Sequence, residues 1–167
     1  MNYIDTLNYI HSLGNFSKPP TLDRIKAVLE KLSNPQNNFK AIHIAGTNGK
    51  GSVSAMLHTV FKEVGYKTGL YISPFIIDFC ERIQINGEFI PKDMLCQLAE
   101  KVIETEIELT EFEFITAVAF LYFSFQKFDI AVVETALGGR LDATNSLPNV
   151  TANIITKIGL DHTAILG

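Results

Sequence analysis

The sequence AIHIAGTNGKGS at residues 41–52 decides how the rest of the chain is interpreted. A short apolar segment leads into a glycine-rich loop that ends in Lys-Gly-Ser, and an apolar segment with helical periodicity follows at residues 53–64. Glycines let backbone N–H groups close around oxyanions, the following helix directs its positive end at them, and a lysine supplies a mobile charge. The stretch therefore predicts a strand, a phosphate-binding loop and a helix, and hence a nucleotide site.

The loop departs from the Walker A pattern G-x-x-x-x-G-K-[ST]. Ile44 stands where the first glycine would be, and Gly46 lies four residues before Lys50 instead of six. Gly51 follows the lysine, so the hydroxyl side chain comes one residue later, at Ser52. The alternative is an ordinary glycine-rich turn between a strand and a helix. The order of strand, loop and helix favours the phosphate site.

Composition narrows the class of protein. The 167 residues are 47% hydrophobic and 19% charged, which is typical of a globular domain with a core. A net charge of -4, with scattered basic residues, gives no support for nucleic-acid binding.

Cys80 and Cys96 lack a C-x-x-C spacing, which argues against a disulfide framework or a zinc site. The apolar stretch at 112–125 is interrupted and too short to span a bilayer. We expect a cytoplasmic, monomeric protein that contacts neither nucleic acid nor membrane.

Apolar patterns along the chain predict strands that alternate with helices. Helices are predicted at residues 3–13, at 22–32 with Thr21 as N-cap, after the loop, from Pro91 at the first helical position to 103, and at 113–126. Strands are predicted before the loop and at 66–72, 129–135 and 151–158, with a hairpin around Asn86-Gly87. The last two strands are β-branched runs, as expected for buried central strands. The fold class predicted is α/β with a doubly wound, mostly parallel sheet, where ligands bind at the carboxyl ends of strands.

Three polar residues lie at or just beyond the carboxyl ends of predicted strands. Glu134 ends a buried run, where a phosphate-loop protein needs an acid for Mg²⁺; the alternative is a solvent-facing glutamate. Ser73 precedes a proline and is equally compatible with a simple turn. His162 follows the last predicted strand, and its placement beside the other two favours a metal role over a surface role. His11, His43 and His58 are better explained as packing or surface residues.

The loop GGRLDATN, at residues 138–145, comes directly after Glu134. Its two glycines allow close backbone approach, and Arg140 and Asp142 are suited to an anionic or hydrogen-bonding substrate. The alternative from composition alone is a flexible loop with a stray ion pair.

Taken together, these motifs resemble the Mur ligase superfamily, most closely its folate branch, the dihydrofolate synthase and folylpolyglutamate synthase enzymes. TLDRI, AGTNGKGS, a strand ending in Ser-Pro, ERI before an Asn-Gly hairpin, FEFITAVAF, VVETALGGRLDATN and ITKIGLDH occur in the family's order over nearly the whole chain. The pair TNGKGS and GGRLDATN is the specific part. The chain departs from the family pattern at Phe75 and Cys80, which leaves the loop after Ser73 less certain than the metal assignment.

The resemblance implies a role for each matching position. Asn48, Gly49, Lys50, Gly51 and Ser52 would contact the phosphates of ATP. Mg²⁺ would be held by Ser73 and Glu134, and a second ion by Glu134 and His162, so that the catalytic residues would be Lys50, Glu134 and His162. The pocket for the pterin or pteroate would be lined by Thr21, Leu22, Phe114, Leu141 and Asp142.

The implied activity is ATP-dependent addition of L-glutamate to dihydropteroate or a reduced folate through an acyl phosphate. Family members are more than twice this length, so we expect residues 1–40 to form a helical lead-in and 41–167 the P-loop α/β core of an incomplete ATP-binding domain. The carboxy-terminal domain would be absent and the chain inactive alone. Two alternatives stay open: a Mur ligase acting on a cell-wall precursor, and a non-catalytic nucleotide-binding module.

Overall fold

A computed structural model describes residues 1–14, 18–160 and 163. The described part contains five α-helices, six strands and three short 3-10 helices at Pro35–Asn38, Phe79–Arg82 and Ala143–Ser146. The helices are α1 (Tyr3–Ser12), α2 (Asp23–Lys31), α3 (Lys50–Glu63), α4 (Lys92–Ile103) and α5 (Glu111–Phe125). The strands are β1 (Ala41–Ala45), β2 (Thr68–Tyr71), β3 (Ile83–Ile85), β4 (Glu88–Phe89), β5 (Ile130–Glu134) and β6 (Val150–Ile155). None of the described helices is long and apolar enough to cross a membrane.

The six strands form one sheet in the order β4-β3-β2-β5-β1-β6. The four strands from β2 to β6 in this order pair in parallel, whereas β3 and β4 add an antiparallel hairpin at one edge. Asn86 and Gly87 both have positive φ at the tip of that hairpin, as the Asn-Gly pair predicts. The predicted α/β class and mostly parallel sheet are thereby confirmed.

Helices cover both faces of the sheet because alternate strand residues point to opposite sides. Val132 of β5 packs with α3 on one face, whereas its neighbours Ala131 and Val133 belong to the larger core formed with α1, α2, α4 and α5. Helix α5 lies close to the sheet: a β-carbon at Gly69 would be 3.3 Å from Phe123. Its nearly all-apolar sequence is buried, as predicted.

Two predicted helix starts are wrong by one position. Leu22, not Thr21, is the N-cap of α2, although the Thr21 hydroxyl accepts a hydrogen bond from the Asp23 N–H at 3.1 Å. Pro91 is the N-cap of α4 rather than its first helical residue. In both cases the residue in question lies one position before the place predicted for it at the start of the helix.

The prediction of a buried central strand at 151–158 is also wrong. Strand β6 ends at Ile155 and lies at the edge of the sheet, next to β1. Ile155 is 68% exposed and Ile158 is 72% exposed. An apolar run shows that a segment favours burial, but the neighbours that bury it are set by strand order, which the run does not encode.

Candidate functional site

The phosphate-loop sequence joins β1 to α3 as predicted. Gly46 follows β1 with a φ of +137°, and a β-carbon there would lie 2.1 Å from the Thr156 hydroxyl oxygen. Glycine is therefore required both by the backbone conformation and by the close approach of the chain after β6. Gly49 is the N-cap of α3 with a φ of +87°. The helix itself begins at Lys50, three residues earlier than its apolar pattern predicts.

The backbone N–H groups of the loop divide into two sets. Those of Thr47 and Asn48 both donate to the Lys157 carbonyl, at 3.0 and 3.2 Å. The residues Lys50, Gly51 and Ser52 form the first turn of α3, where N–H groups have no acceptor within the helix. The second set, together with the positive end of the helix dipole, is therefore available to an anion.

Lys50 is folded over the loop that precedes it. Its ammonium group donates to the Gly46 carbonyl at 2.8 Å and lies 3.5 Å from the Thr47 carbonyl. These carbonyls are neutral acceptors, so a phosphate would compete well for the ammonium charge. The arrangement holds the lysine beside the first turn of α3.

Glu134 occupies the last position of β5 and is 3% exposed. The hydrogen bond that the structure gives this carboxylate comes from the Ser73 N–H, at 3.2 Å from Oε2. Burial raises the pKa of Glu134 to about 6; the Ser73 N–H and the charge of Lys50 oppose this rise, and Asp142 adds to it. A β-carbon at Gly51 would lie 3.6 Å from Oε2. Glycine at this position therefore leaves the carboxylate in direct reach of the first turn of α3.

This donor set fits a magnesium ion. A buried carboxylate with one hydrogen-bond donor gains stability from a cation, and carboxylate and hydroxyl oxygens are the ligands that Mg²⁺ prefers. Ser73 donates its backbone N–H to Glu134, so this residue lies beside the buried carboxylate. The third predicted metal residue, His162, lies outside the described residues. Within them, no cluster of three His, Cys, Asp or Glu side chains is placed to hold a metal.

An open cleft of about 360 Å³ lies at the carboxyl ends of β1, β5 and β6. One wall is the phosphate loop, with Gly46, Thr47 and Lys50, and the opposite wall is the segment from Ala136 to Gly139. Ile155, Ile158 and Gly159 close the third side. The cleft is mostly apolar apart from Lys50 and the loop backbone, as expected for a ligand site at the end of a parallel sheet.

Asp142 is the best-satisfied side chain in the predicted set. Oδ2 accepts the Ala136 and Leu137 N–H groups at 2.8 and 2.9 Å. Oδ1 accepts the Thr144 N–H at 3.0 Å and the Thr144 hydroxyl at 2.5 Å. Burial raises the pKa of Asp142, and these four hydrogen bonds oppose the rise. The carboxylate thus fixes the loop around it, and GGRLDATN is an ordered segment instead of the flexible alternative.

The remaining residues of the predicted substrate pocket occupy different environments. Thr21 and Leu22 are half-buried at the start of α2, and Leu141 is 43% exposed. Phe114 is 2% exposed inside the core, with its ring 5.7 Å from that of Tyr9. The elements that carry them are neighbours, since α2 packs on α5 and on the turn after Asp142. Their role in substrate binding stays a prediction.

Two contributors to the site were missed in the sequence. Lys157 acts through its backbone carbonyl, and Thr156 is in contact with Gly46 across the end of the sheet. Neither contact depends on a recognisable side-chain pattern, so no sequence signal marked them. His43, expected to be a packing residue, is buried as predicted but also hydrogen-bonds Thr144.

Comparison with known proteins gives one consistent family. The chain is 42% identical to a dihydrofolate synthase/folylpolyglutamate synthase of Bacillus subtilis over 174 residues, covering 99% of the chain and 40% of the relative. It is 40% identical to a folylpolyglutamate synthase of Lacticaseibacillus casei over 176 residues, covering all of the chain and 41% of the relative. No protein-family model matches the chain.

Solved structures agree with these sequence matches. A folylpolyglutamate synthase complex with AMPPCP and folate superimposes with a TM-score of 0.91 at 40% identity, covering 100% of this chain and 43% of that one. E. coli FolC in complex with DHPP and ADP gives a TM-score of 0.91 at 32% identity, covering 100% of this chain and 41% of that one. The chain spans about 40% of the length of the curated relatives it matches. The chain is therefore a homologue, along its entire length, of the amino-terminal, ATP-binding part of the folylpolyglutamate synthase and dihydrofolate synthase family.

Proposed function

We propose that the chain forms the ATP- and Mg²⁺-binding part of a ligase that joins L-glutamate to the carboxylate of dihydropteroate or a folate. The observation that carries the proposal is the meeting of three groups beside the phosphate loop. Lys50 and Gly51 belong to the first turn of α3, and the buried Glu134 carboxylate lies beside them: a β-carbon at Gly51 would be 3.6 Å from its Oε2, and the charge of Lys50 acts on its pKa. A positive helix end with a lysine suits the phosphates, and the lone carboxylate suits their metal ion.

The relatives support this choice of ligand. Solved folylpolyglutamate synthase and FolC structures hold AMPPCP, folate, DHPP and ADP. A TM-score of 0.91 at 32–40% identity supports the proposal that this chain takes the same classes of ligand. The substrate class is therefore proposed to be folate-like, and a cytoplasmic, monomeric protein remains our expectation.

The proposed reaction has two steps. The substrate carboxylate attacks the γ-phosphorus of ATP, its new P–O bond replaces the bond to ADP, and an acyl phosphate forms. The glutamate amine then attacks the acyl carbon, loses a proton, and displaces phosphate to give the amide. Lys50 and the N–H groups of residues 50–52 would bind and orient the phosphates and neutralise charge, which is the main form of catalysis in phosphoryl transfer. Mg²⁺, held by Glu134 and Ser73, would supply further charge neutralisation.

The first test measures nucleotide binding by the chain itself. We expect AMPPCP with Mg²⁺ to bind in isothermal titration calorimetry, and Lys50→Ala to weaken binding about 10- to 100-fold, as for loss of a charge-assisted contact. Lys62→Ala is the matched control, because Lys62 lies in the last turn of the same helix and should leave the affinity unchanged. Equal affinities for wild type and Lys50→Ala would overturn the phosphate-site assignment.

A second arm of the same titration tests the metal assignment. Glu134→Gln keeps the shape of the side chain and removes its charge. AMPPCP affinity should then respond much less to added Mg²⁺ than in the wild type. An unchanged Mg²⁺ response would show that the buried acid is structural.

A further inference from the structure

A buried chain of hydrogen bonds runs beneath the cleft and connects its two principal walls. His43 lies in β1, three residues before Gly46, and its Nε2 is 2.7 Å from the Thr144 hydroxyl oxygen. That hydroxyl is in turn 2.5 Å from Asp142 Oδ1, and Asp142 Oδ2 accepts from Ala136 and Leu137. Thr144 is fully buried, and His43 and Asp142 are each 6% exposed.

The proton positions along these hydrogen bonds follow from the donors and acceptors present. Both oxygens of Asp142 receive two donors each, so the carboxylate accepts and the Thr144 hydroxyl donates to it. The Thr144 oxygen then has a lone pair for His43, which requires a hydrogen on Nε2. Burial lowers the pKa of His43, while the charge of Asp142 and a hydrogen bond with Asn153 oppose this. The contact with Thr144 therefore favours the neutral ring with its hydrogen on Nε2.

These hydrogen bonds lie where the pairing between β1 and β5 ends. Strands β1 and β5 pair up to Ile44 and Glu134, and the last ladder bond runs from the Thr135 N–H to the Ile44 carbonyl. Beyond that point β1 turns into the phosphate loop, so the next two N–H groups of the other wall lose their strand partner. Asp142 accepts both of them. Its carboxylate thereby supplies the acceptors that these two N–H groups would otherwise find in a neighbouring strand.

We propose that Thr144, held between His43 and Asp142, is a positioning residue for the nucleotide cleft: it fixes the wall that begins at Ala136 relative to the strand that carries the phosphate loop. The nucleotide part of this inference rests on the proposed function. The loop-holding part does not, since it concerns hydrogen bonds within the chain. Asp142 acts in the same way, through backbone N–H groups that line the cleft.

The test compares three variants of the chain. Thr144→Val removes the hydroxyl and keeps the shape, so it leaves the His43 N–H and one lone pair of Asp142 unsatisfied. Thr144→Ser restores the hydroxyl. Ser146→Ala is the matched control, because Ser146 lies in the same short turn but its hydroxyl donates to the Ala143 carbonyl at 2.7 Å, away from Asp142.

Two ligand-free measurements test the positioning. Amide exchange at Ala136 and Leu137 should be about tenfold faster in Thr144→Val than in wild type, with Thr144→Ser and Ser146→Ala close to wild type. Nitrogen NMR of His43 should show the Nε2–H tautomer in wild type and a loss of that preference in Thr144→Val. Unchanged exchange at both amides would overturn the inference.

The nucleotide measurement tests the consequence for the cleft. Titrated with AMPPCP and Mg²⁺, well below the melting temperature of each variant, Thr144→Val should bind about fivefold to tenfold more weakly than Ser146→Ala. A lower melting temperature with unchanged affinity would show a purely structural hydroxyl and overturn the inference. If wild type itself failed to bind AMPPCP, the proposed function would fail, and the exchange measurement would still decide whether Thr144 holds the loop.

Discussion

At the scale of single residues, Gly46 carries the strictest requirement in the phosphate loop. A β-carbon there would collide with Thr156, and its φ of +137° is unfavourable for any side chain. Gly65 also has a positive φ, of +94°, but a β-carbon there would have nothing within 4 Å. Comparing substitutions at Gly46 and Gly65 therefore distinguishes the cost of backbone strain from the cost of a steric collision.

We predict that Gly46→Ala destabilises the fold by about 1–3 kcal/mol more than Gly65→Ala, which itself should cost about 1–2 kcal/mol. The free energy of unfolding measured in urea checks both values. Equal losses for the two variants would show that the chain after β6 moves away freely, and that the contact between Gly46 and Thr156 is soft.

Glu134 gives the fold a pH dependence with a definite sign. Its pKa rises from 4.5 to about 6 on folding, chiefly through burial. Between those two values the folded state keeps a proton that the unfolded state has lost, so stability falls as pH rises through this window. Without added metal, this term should remove on the order of 2 kcal/mol by pH 7.

The variant Glu134→Gln isolates this term from the other titrating groups. We predict that its stability relative to wild type increases from pH 4 to pH 7, measured by urea unfolding in the presence of a chelator. Glu88→Gln, at an exposed position of the hairpin, serves as the control. A difference between wild type and Glu134→Gln that stays constant over this range would contradict the raised pKa.

At the scale of elements, an ion pair between a partly exposed arginine and a buried glutamate connects α2 to the start of α5. Arg24 Nε lies 3.1 and 3.0 Å from the two carboxylate oxygens of Glu113, which also caps the helix by accepting the Thr110 N–H at 2.8 Å. The Glu113 side chain is 7% exposed and that of Arg24 is 21% exposed. Removal of the arginine would leave a carboxylate buried without its cation.

We predict that Arg24→Ala lowers the free energy of unfolding by about 2–3 kcal/mol, the lower end of the range for breaking a buried pair, because Arg24 is partly solvated. Lys18→Ala is the matched control. Lys18 pairs with Glu108, whose side chain is 89% exposed, so its loss should change stability little. Urea unfolding measures both, and similar effects for the two variants would contradict the importance of burial.

Elements that depend on local sequence are predicted well, whereas features that depend on strand order are not. The strand, loop and helix around Lys50 follow from local chemistry, because glycines and a helix start are encoded within twelve residues. The edge position of β6 is not encoded locally, since strand order depends on which strands pair. Likewise, the sequence marks Asp142 as a polar residue near the site, but only the fold shows that four donors already occupy its carboxylate.

At the scale of the whole molecule, the two faces of the sheet are covered unequally. Within the described residues, four helices pack on one face, whereas α3 alone packs on the other. Met56 and Val60 on the outer side of α3, and Val64 at its C-cap, are more than half exposed. Strand β6 is exposed along most of its length. The phosphate loop joins β1 to α3 and is hydrogen-bonded to the segment after β6, so the cleft borders these less covered elements.

This openness leads to a prediction about catalysis. A glutamate amine must meet a short-lived acyl phosphate before water does, and such positioning can contribute about 7–11 kcal/mol to lowering a barrier. The cleft in this chain is open, so the described residues do not enclose a site from which water is excluded. We therefore predict that the 167-residue chain binds Mg-ATP but forms no amide from dihydropteroate and labelled glutamate. The folylpolyglutamate synthase of Lacticaseibacillus casei serves as the positive control in the same assay. Amide formation by the chain at a comparable rate would show that the phosphate loop and its neighbouring strand ends suffice for ligation.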